Sequence, residues 1–257
     1  MSIETSVRNG VGTATFNRPE SLNSITAKVL TEWDAGIREL ADNPEVRVIV
    51  LTGSGRAFSA GMDLKNPFDE GDEMPWSHET NPASRLSKSL TYAIELIRTI
   101  ARVNQPTIAA VNGHTVGAGM SIAAACDIRL AAPEAVFSAP FVRLGLSGGD
   151  LGLSWFLPRI IGLPKATDMI LNCREYTAEQ ALEIGLVTGI EDDVVGAAHK
   201  MGERIASFES YGVTMSKKLL AASSTASLDA QLDAELTTQS LGFFTDTVQQ
   251  LAKQRDA

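Results

Sequence analysis

Residues 48–64, VIVLTGSGRAFSAGMDL, decide how this chain folds. The run Val46–Thr52 is rich in β-branched residues and, after Arg47, apolar through Leu51, bounded by Pro44 and Gly53. A run with no polar alternation has no face for water, so it reads as a strand buried on both sides. The small residues after it let another molecule approach the backbone, and N–H groups exposed at a helix start attract negative charge. Residues 107–128, TIAAVNGHTVGAGMSIAAACDI, repeat the design. Thr107–Val111 is the second buried strand, Gly113, Gly117 and Gly119 follow, and an Ala-rich helix is predicted over 118–125. Two such units aimed at one oxygen would make an oxyanion hole, where losing one donor costs on the order of 10²–10³ in rate.

Outward from these units the pattern stays mixed. Residues 3–16 read as two short strands around the tight-turn pair Asn9-Gly10. Val29, Leu30, Trp33, Ile37 and Leu40 fall at helical spacing, with Thr26 as N-cap. Residues 66–83, NPFDEGDEMPWSHETNPA, hold three prolines and no period, which predicts a long loop. A helix over 84–103 follows, then short strands at 127–131 and 135–138. Thr177-Ala-Glu-Gln180 resembles a capping box opening a helix that Gly185 closes. From residue 194 onward three helices are predicted. The class is α/β, with a β/α core over 1–190 and a helical region over 191–257.

The chain has 257 residues, 44% of them hydrophobic, enough for a full core. A net charge of −9 argues against binding nucleic-acid phosphates. No apolar run approaches the ~18 residues of a membrane span, and MSIETSVRNG lacks the layout of a secretory signal. Cys126 and Cys173 lie in apolar surroundings without C-x-x-C spacing, as reduced core residues do. The expectation is a soluble cytoplasmic protein with no membrane or nucleic-acid partner.

Residues 143–155, RLGLSGGDLGLSW, place a carboxylate, Asp150, among glycines and apolar side chains. Desolvating it costs free energy unless the site needs it. It supplies chemistry, N-caps a helix over 151–157, or does both. The same stretch fits G-x-S-x-G around Ser147, but a serine-hydrolase elbow needs a later histidine on a loop, and His199 alone follows, beside a helical core stripe. The glycines after Val111 are not spaced as G-x-G-x-x-G, which speaks against a dinucleotide site. His78 and His114 have no cysteine or carboxylate at ligand spacing, so no metal is expected. His114 is a candidate for lining a substrate pocket. Asp63 reads as capping a turn, Asp127 as pairing with Arg129 or a strand end, and the acids at 69–73 as a solvated face.

Phe16–Asn23 (FNRPESLN), Ala57–Leu64 (AFSAGMDL) and Ala110–Gly119 (AVNGHTVGAG) resemble the hallmark motifs of the crotonase superfamily, the enoyl-CoA hydratase/isomerase family. Cys126–Arg129, Leu157–Gly162 and Ala178–Val187 match in the same order, across about 190 residues. The resemblance implies a spiral of ββα turns with C-terminal helices used for oligomerisation, as trimers or dimers of trimers. It implies an acyl-CoA thioester as substrate, with CoA entering as part of it and no separate cofactor. The thioester oxygen would sit between the N–H groups of Ala60 and Ala118, stabilising an enolate. Leu22, Ala57 and Ala60 would help to hold CoA.

The chain departs from the family where its hydratases carry two glutamates: Ser121 and Phe141 stand there, as residues of the substrate pocket. Hydration needs a base for water and an acid for carbon. Asp150 stands where some branches of the superfamily keep a proton-shuttling or nucleophilic acid. The implied activity is that of an enoyl-CoA hydratase or isomerase using Asp150. The alternatives are a thioester hydrolase, a C–C-cleaving relative, or a non-catalytic acyl-CoA-binding scaffold.

Overall fold

A computed structural model describes residues 1–65 and 79–255, with side chains through 250. Most of the loop expected at 66–83, with the acids at 69–73 and His78, lies outside the described residues.

The chain opens with strands β1 (Ile3–Arg8) and β2 (Val11–Phe16). They pair antiparallel through Asn9 and Gly10, both at positive φ, 51° and 79°. Helix α1 (Ala27–Asp42) starts at Thr26, whose hydroxyl accepts the Val29 N–H. The indole of Trp33 on α1 stacks on Phe16 at 3.6 Å between ring centres, fixing helix to strand.

A repeat then takes over. Strand β3 (Val48–Gly53), strand β4 (Ala57–Ser59) and helix α2 (Pro82–Arg102) form one turn. Strands β5 (Thr107–Val111) and β6 (His114–Val116) with helix α3 (Ala118–Ala125) form the next. Strands β7 (Ile128–Ala131) and β8 (Val136–Ser138) with α4 (Leu153–Ile161) form the third. The first strand of each pair joins a six-stranded sheet, β1-β2-β3-β5-β7-β10. The second joins a four-stranded sheet, β4-β6-β8-β9. This alternation is the ββα spiral that the resemblance implies. Helix α5 (Leu163–Leu171), β9 (Tyr176–Thr177), α6 (Ala178–Glu183) and β10 (Gly189–Ile190) complete the sheets. The expected capping box is present: Thr177 and Gln180 bond reciprocally.

The doubly apolar strands are explained by what covers them. Ile49 and Leu51 face the main core with α1 and α2, whereas Val48 and Val50 share a second cluster with Val194 and Ala198. Those last two belong to α7 (Val194–Ala206). Helix α7 therefore closes the outer face of the large sheet, and packing runs straight across the 190/191 boundary drawn from sequence. With α7, helices α8 (Ser210–Ser223), α9 (Leu228–Gly242) and α10 (Asp246–Arg255) make four from residue 194 onward among the described residues, where three were expected. The turns 207–209, 224–227 and 243–245 carry neither proline nor glycine, so the divisions were not visible as helix stops. Among their described side chains, α8 and α9 bury none.

Candidate active site

The two strand-then-loop units meet edge to edge. Strand β4 pairs parallel with β6, Ala57 opposite His114 and Ser59 opposite Thr115. The approach is so close that a Cβ added at Gly119 would lie 2.4 Å from the Ser59 carbonyl oxygen. Only glycine fits there. Gly117, the N-cap of α3, sits at φ 56°, and the Phe141 ring lies 3.7 Å from where its Cβ would be. Phe141 thus roofs the start of α3.

Ala118 is the first residue of that helix and is buried. Its N–H precedes the first intrahelical bond and finds no acceptor among the described residues. It is a free donor at the positive end of a helix. Ala60 differs from the expectation: its N–H donates to the Leu22 carbonyl at 2.9 Å. Leu22 and Asn23 both have left-handed backbone, φ 55° and 54°, which turns that carbonyl toward the loop. Asn23, fully buried, sends its amide to the carbonyls of Ser54 and Ala57, while its Oδ1 accepts the Arg18 N–H. Ser59 closes the web by donating to the Asn23 carbonyl.

Asn112 adds a second clamp, donating to Gly55 and Ala57 and accepting the Gly53 N–H. Asn23 and Asn112 were passed over in the sequence as parts of motifs. Each directly follows or precedes a tight turn, and that placement was the available signal. Ala57 is wholly buried with its carbonyl engaged by both amides, so here it fixes the corner of the loop. His114 is exposed and in register with Ala57, not with the Phe141, Ser121 and Asp150 group.

Ser121 is completely buried one turn after Ala118, and its hydroxyl donates to the backbone carbonyl of Asp150 at 3.1 Å. Asp150 does not N-cap α4. The N-cap is Gly152, with no side-chain cap bond, and the helix begins two residues later than expected, at Leu153. The Asp150 carboxyl is partly buried and hydrogen-bonds no described side chain or N–H. Burial raises its pKa above the ordinary aspartate value, and no neighbouring charge offsets that. A partly buried carboxylate without a side-chain or N–H partner among the described residues is a candidate for acid/base chemistry.

The rival motifs resolve plainly. Ser147 is exposed, its Oγ accepting the Gly149 N–H, and no strand leads into it as an elbow requires. His199 shares a hydrogen bond with Thr13 at 2.8 Å. Asp63 accepts the Lys65 N–H and so caps its turn. Of the two expected partners, Asp127 takes the strand end, at Thr107 where β5 begins, and not Arg129. It accepts the N–H and hydroxyl of Thr107 and forms an ion pair with Lys217 at 2.7 Å. Arg129 instead donates to carbonyls at Leu186 and Cys126, because its buried head lies under the end of α3. Among the described residues no group of histidine, cysteine and carboxylate side chains could hold a metal, and no helix is long and apolar enough to cross a membrane.

The sequence profile of the enoyl-CoA hydratase/isomerase family matches residues 6–254. The chain belongs to this family. It is 36% identical over 231 residues to "Probable enoyl-CoA hydratase echA12" of Mycobacterium bovis, covering 89% of this chain and 80% of that protein. It is 34% identical over 232 residues to the 1,2-epoxyphenylacetyl-CoA isomerase of Escherichia coli, covering 89% and 85%. Its fold superposes on the crystal structure of a "probable enoyl-CoA hydratase/isomerase" from Mycobacterium abscessus with a TM-score of 0.90 at 30% identity, covering 100% of this chain and 96% of that one. The chain is therefore a crotonase-fold enzyme of the enoyl-CoA hydratase/isomerase family.

Proposed function

We propose that this member of the family is an isomerase of enoyl-CoA thioesters that moves one proton with one carboxylate, Asp150. The observation that carries the reading is the state of that carboxyl: partly buried, unpartnered among the described residues, its pKa raised by burial. Ser121 and Phe141 occupy the places of both hydratase glutamates in the family resemblance, which leaves no acid at either place to activate water. An isomerisation needs a single group that takes a proton from one carbon and returns it to another. A relative named as a CoA-thioester isomerase is consistent with that chemistry.

In the proposed reaction the thioester oxygen accepts the Ala118 N–H, with Ala60 as second donor once its N–H is shared with the incoming oxygen. The Asp150 carboxylate removes a proton from the carbon next to the thioester of a 3-enoyl-CoA. The electron pair passes to the thioester oxygen as a dienolate, held at the start of α3. Protonated Asp150 then delivers the same proton to the far carbon, giving the conjugated 2-enoyl thioester. No atom is gained or lost. A raised pKa makes Asp150 a stronger base than an exposed aspartate. We further propose that the protein works as a trimer or dimer of trimers in the cytoplasm, from the family resemblance.

The test follows conjugated-thioester absorbance with 3-enoyl-CoA and 2-enoyl-CoA of short and medium chain length. The reading expects absorbance to appear from 3-enoyl-CoA with wild type and not with Asp150→Asn. Loss of absorbance from 2-enoyl-CoA that requires Asp150 would instead make it a one-carboxylate hydratase, and release of free CoA thiol would make it a hydrolase. Tight binding of the thioesters without turnover would reduce it to a scaffold.

A further inference from the structure

We propose that Ser121 is a positioning residue, whose hydroxyl ties the Asp150 turn to helix α3 and so sets the distance between the oxygen-binding N–H and the proton-moving carboxyl. The proposal rests on Asp150 as the acid/base group and goes beyond it by assigning what holds that group in place.

The backbone at Asp150 has reason to move. Leu151 and Gly152, the next two residues, are both left-handed, with φ 45° and 81°. For leucine this conformation is unfavourable, and such strain persists only where surroundings enforce it. Two bonds converge on the Asp150 carbonyl. The Leu153 N–H donates at 2.8 Å and the Ser121 hydroxyl at 3.1 Å. The first is local and travels with the turn if the turn shifts. The second spans 29 residues and is the polar tie between α3 and the turn among the described residues.

Ser121 lies three residues after Ala118, on the same side of the helix, one turn deeper. One rigid helix of eight residues thus presents the free N–H at its first residue and grips the Asp150 turn from its fourth. Ser121 is fully buried, and a glutamate in its place would have to displace the Asp150 carbonyl it now touches. Serine therefore replaces acid chemistry by geometry at this position.

The experiment compares full-length wild type, Ser121→Ala and Ser121→Thr, by pH-dependent kinetics on 3-enoyl-CoA and by hydrogen exchange at residues 149–153 without substrate. The proposal expects Ala to lower kcat roughly 10-fold with KM within about twofold, as misplacement of a reacting group does. It expects the acid limb of the Ala profile to move to lower pH, as a loosened Asp150 meets more water. Exchange at 149–153 becomes faster in Ala, and Thr, which keeps the hydroxyl, restores both readouts. Where the extra methyl of Thr lowers Tm, the Ala variant decides alone. A folded Ala variant with wild-type kcat overturns the proposal whatever its exchange, and so does unchanged exchange. If wild type does not convert 3-enoyl-CoA, the isomerase reading fails, and the exchange comparison alone then decides the tether: faster in Ala supports it, equal overturns it.

Discussion

The backbone N–H of Ala60 donates to the carbonyl of Leu22 at 2.9 Å, whereas the N–H of Ala118, its counterpart in the adjoining loop, has no acceptor among the described residues. The two proposed halves of the oxyanion site are thus unequal before substrate arrives. One donor is free, and the other is held by a carbonyl that two left-handed residues aim at it.

That inequality separates two proline substitutions. Ala118→Pro deletes an N–H that makes no bond, at the first helical position, where proline is tolerated. It should leave Tm close to wild type and lower kcat/KM by roughly 10²–10³. Ala60→Pro deletes a bonded N–H and strands the Leu22 carbonyl, so it should also cost about 1–3 kcal/mol of stability by denaturant unfolding. Equal activity losses with equal destabilisation would refute the asymmetry.

Asp150→Asn gives a prediction with opposite signs for activity and stability. The carboxyl's folded pKa lies above its unfolded value because burial disfavours its charge. Such a group favours the fold when protonated, and that contribution disappears as pH rises through the folded pKa. Relative to Asn, the native aspartate therefore weakens the fold at neutral pH, and the two converge as pH falls below the ordinary aspartate value of 3.8. Thermal melts should show Asp150→Asn more stable at pH 7, with the gap closing as pH drops below the ordinary aspartate value, while isomerisation falls by about 10² or more. A variant less stable at pH 7 would mean the carboxylate holds structure together after all.

Cys126 should be chemically silent. It is buried in the main core and its thiol is pushed up to about 12, chiefly by desolvation. The thiolate is the reactive form, so a disulfide reagent at pH 8 should reach it only through unfolding. Native labelling of Cys126 at the rate of a free thiol would contradict the packing described for α3.

Some of this was legible in sequence and some was not, for identifiable reasons. The strands at 48 and 107 announced themselves because both their faces are covered, which leaves no polar alternation. Thr26 and Thr177 announced their helices because capping is local chemistry. The Ala60–Leu22 bond was hidden, since nothing in a leucine signals left-handed backbone. So was the Asp127–Lys217 pair, whose members lie 90 residues apart, although the strand-end partner of Asp127, Thr107, was among those expected. The place of α7 in the core was lost for the same reason: its stripe was visible, but not the sheet face it covers. At the candidate site, the family resemblance offered Asp150, Ser121 and Phe141 by position, but not the bond that joins the first two.

That hidden pair governs the last prediction. Helix α8 buries none of its residues fully, so apolar packing alone holds it weakly. Its strongest tie is Lys217, whose side chain is only 9% exposed. The ammonium meets the Asp127 carboxylate at 2.7 Å and donates to the Gln105 carbonyl at 2.8 Å. Lys217→Met keeps the apolar stem but removes both bonds. Asp127 retains its Thr107 donors and stays a third exposed, so the loss should stop short of that for a fully buried orphaned charge. We expect about 1–3 kcal/mol by denaturant unfolding and faster limited proteolysis within 210–223. Pairing it with Asp127→Asn should recover part of the loss, because a coupled pair is not additive. A Lys217→Met protein within about 0.5 kcal/mol of wild type, cleaved no faster in α8, would show that the helix is held by something other than this clasp.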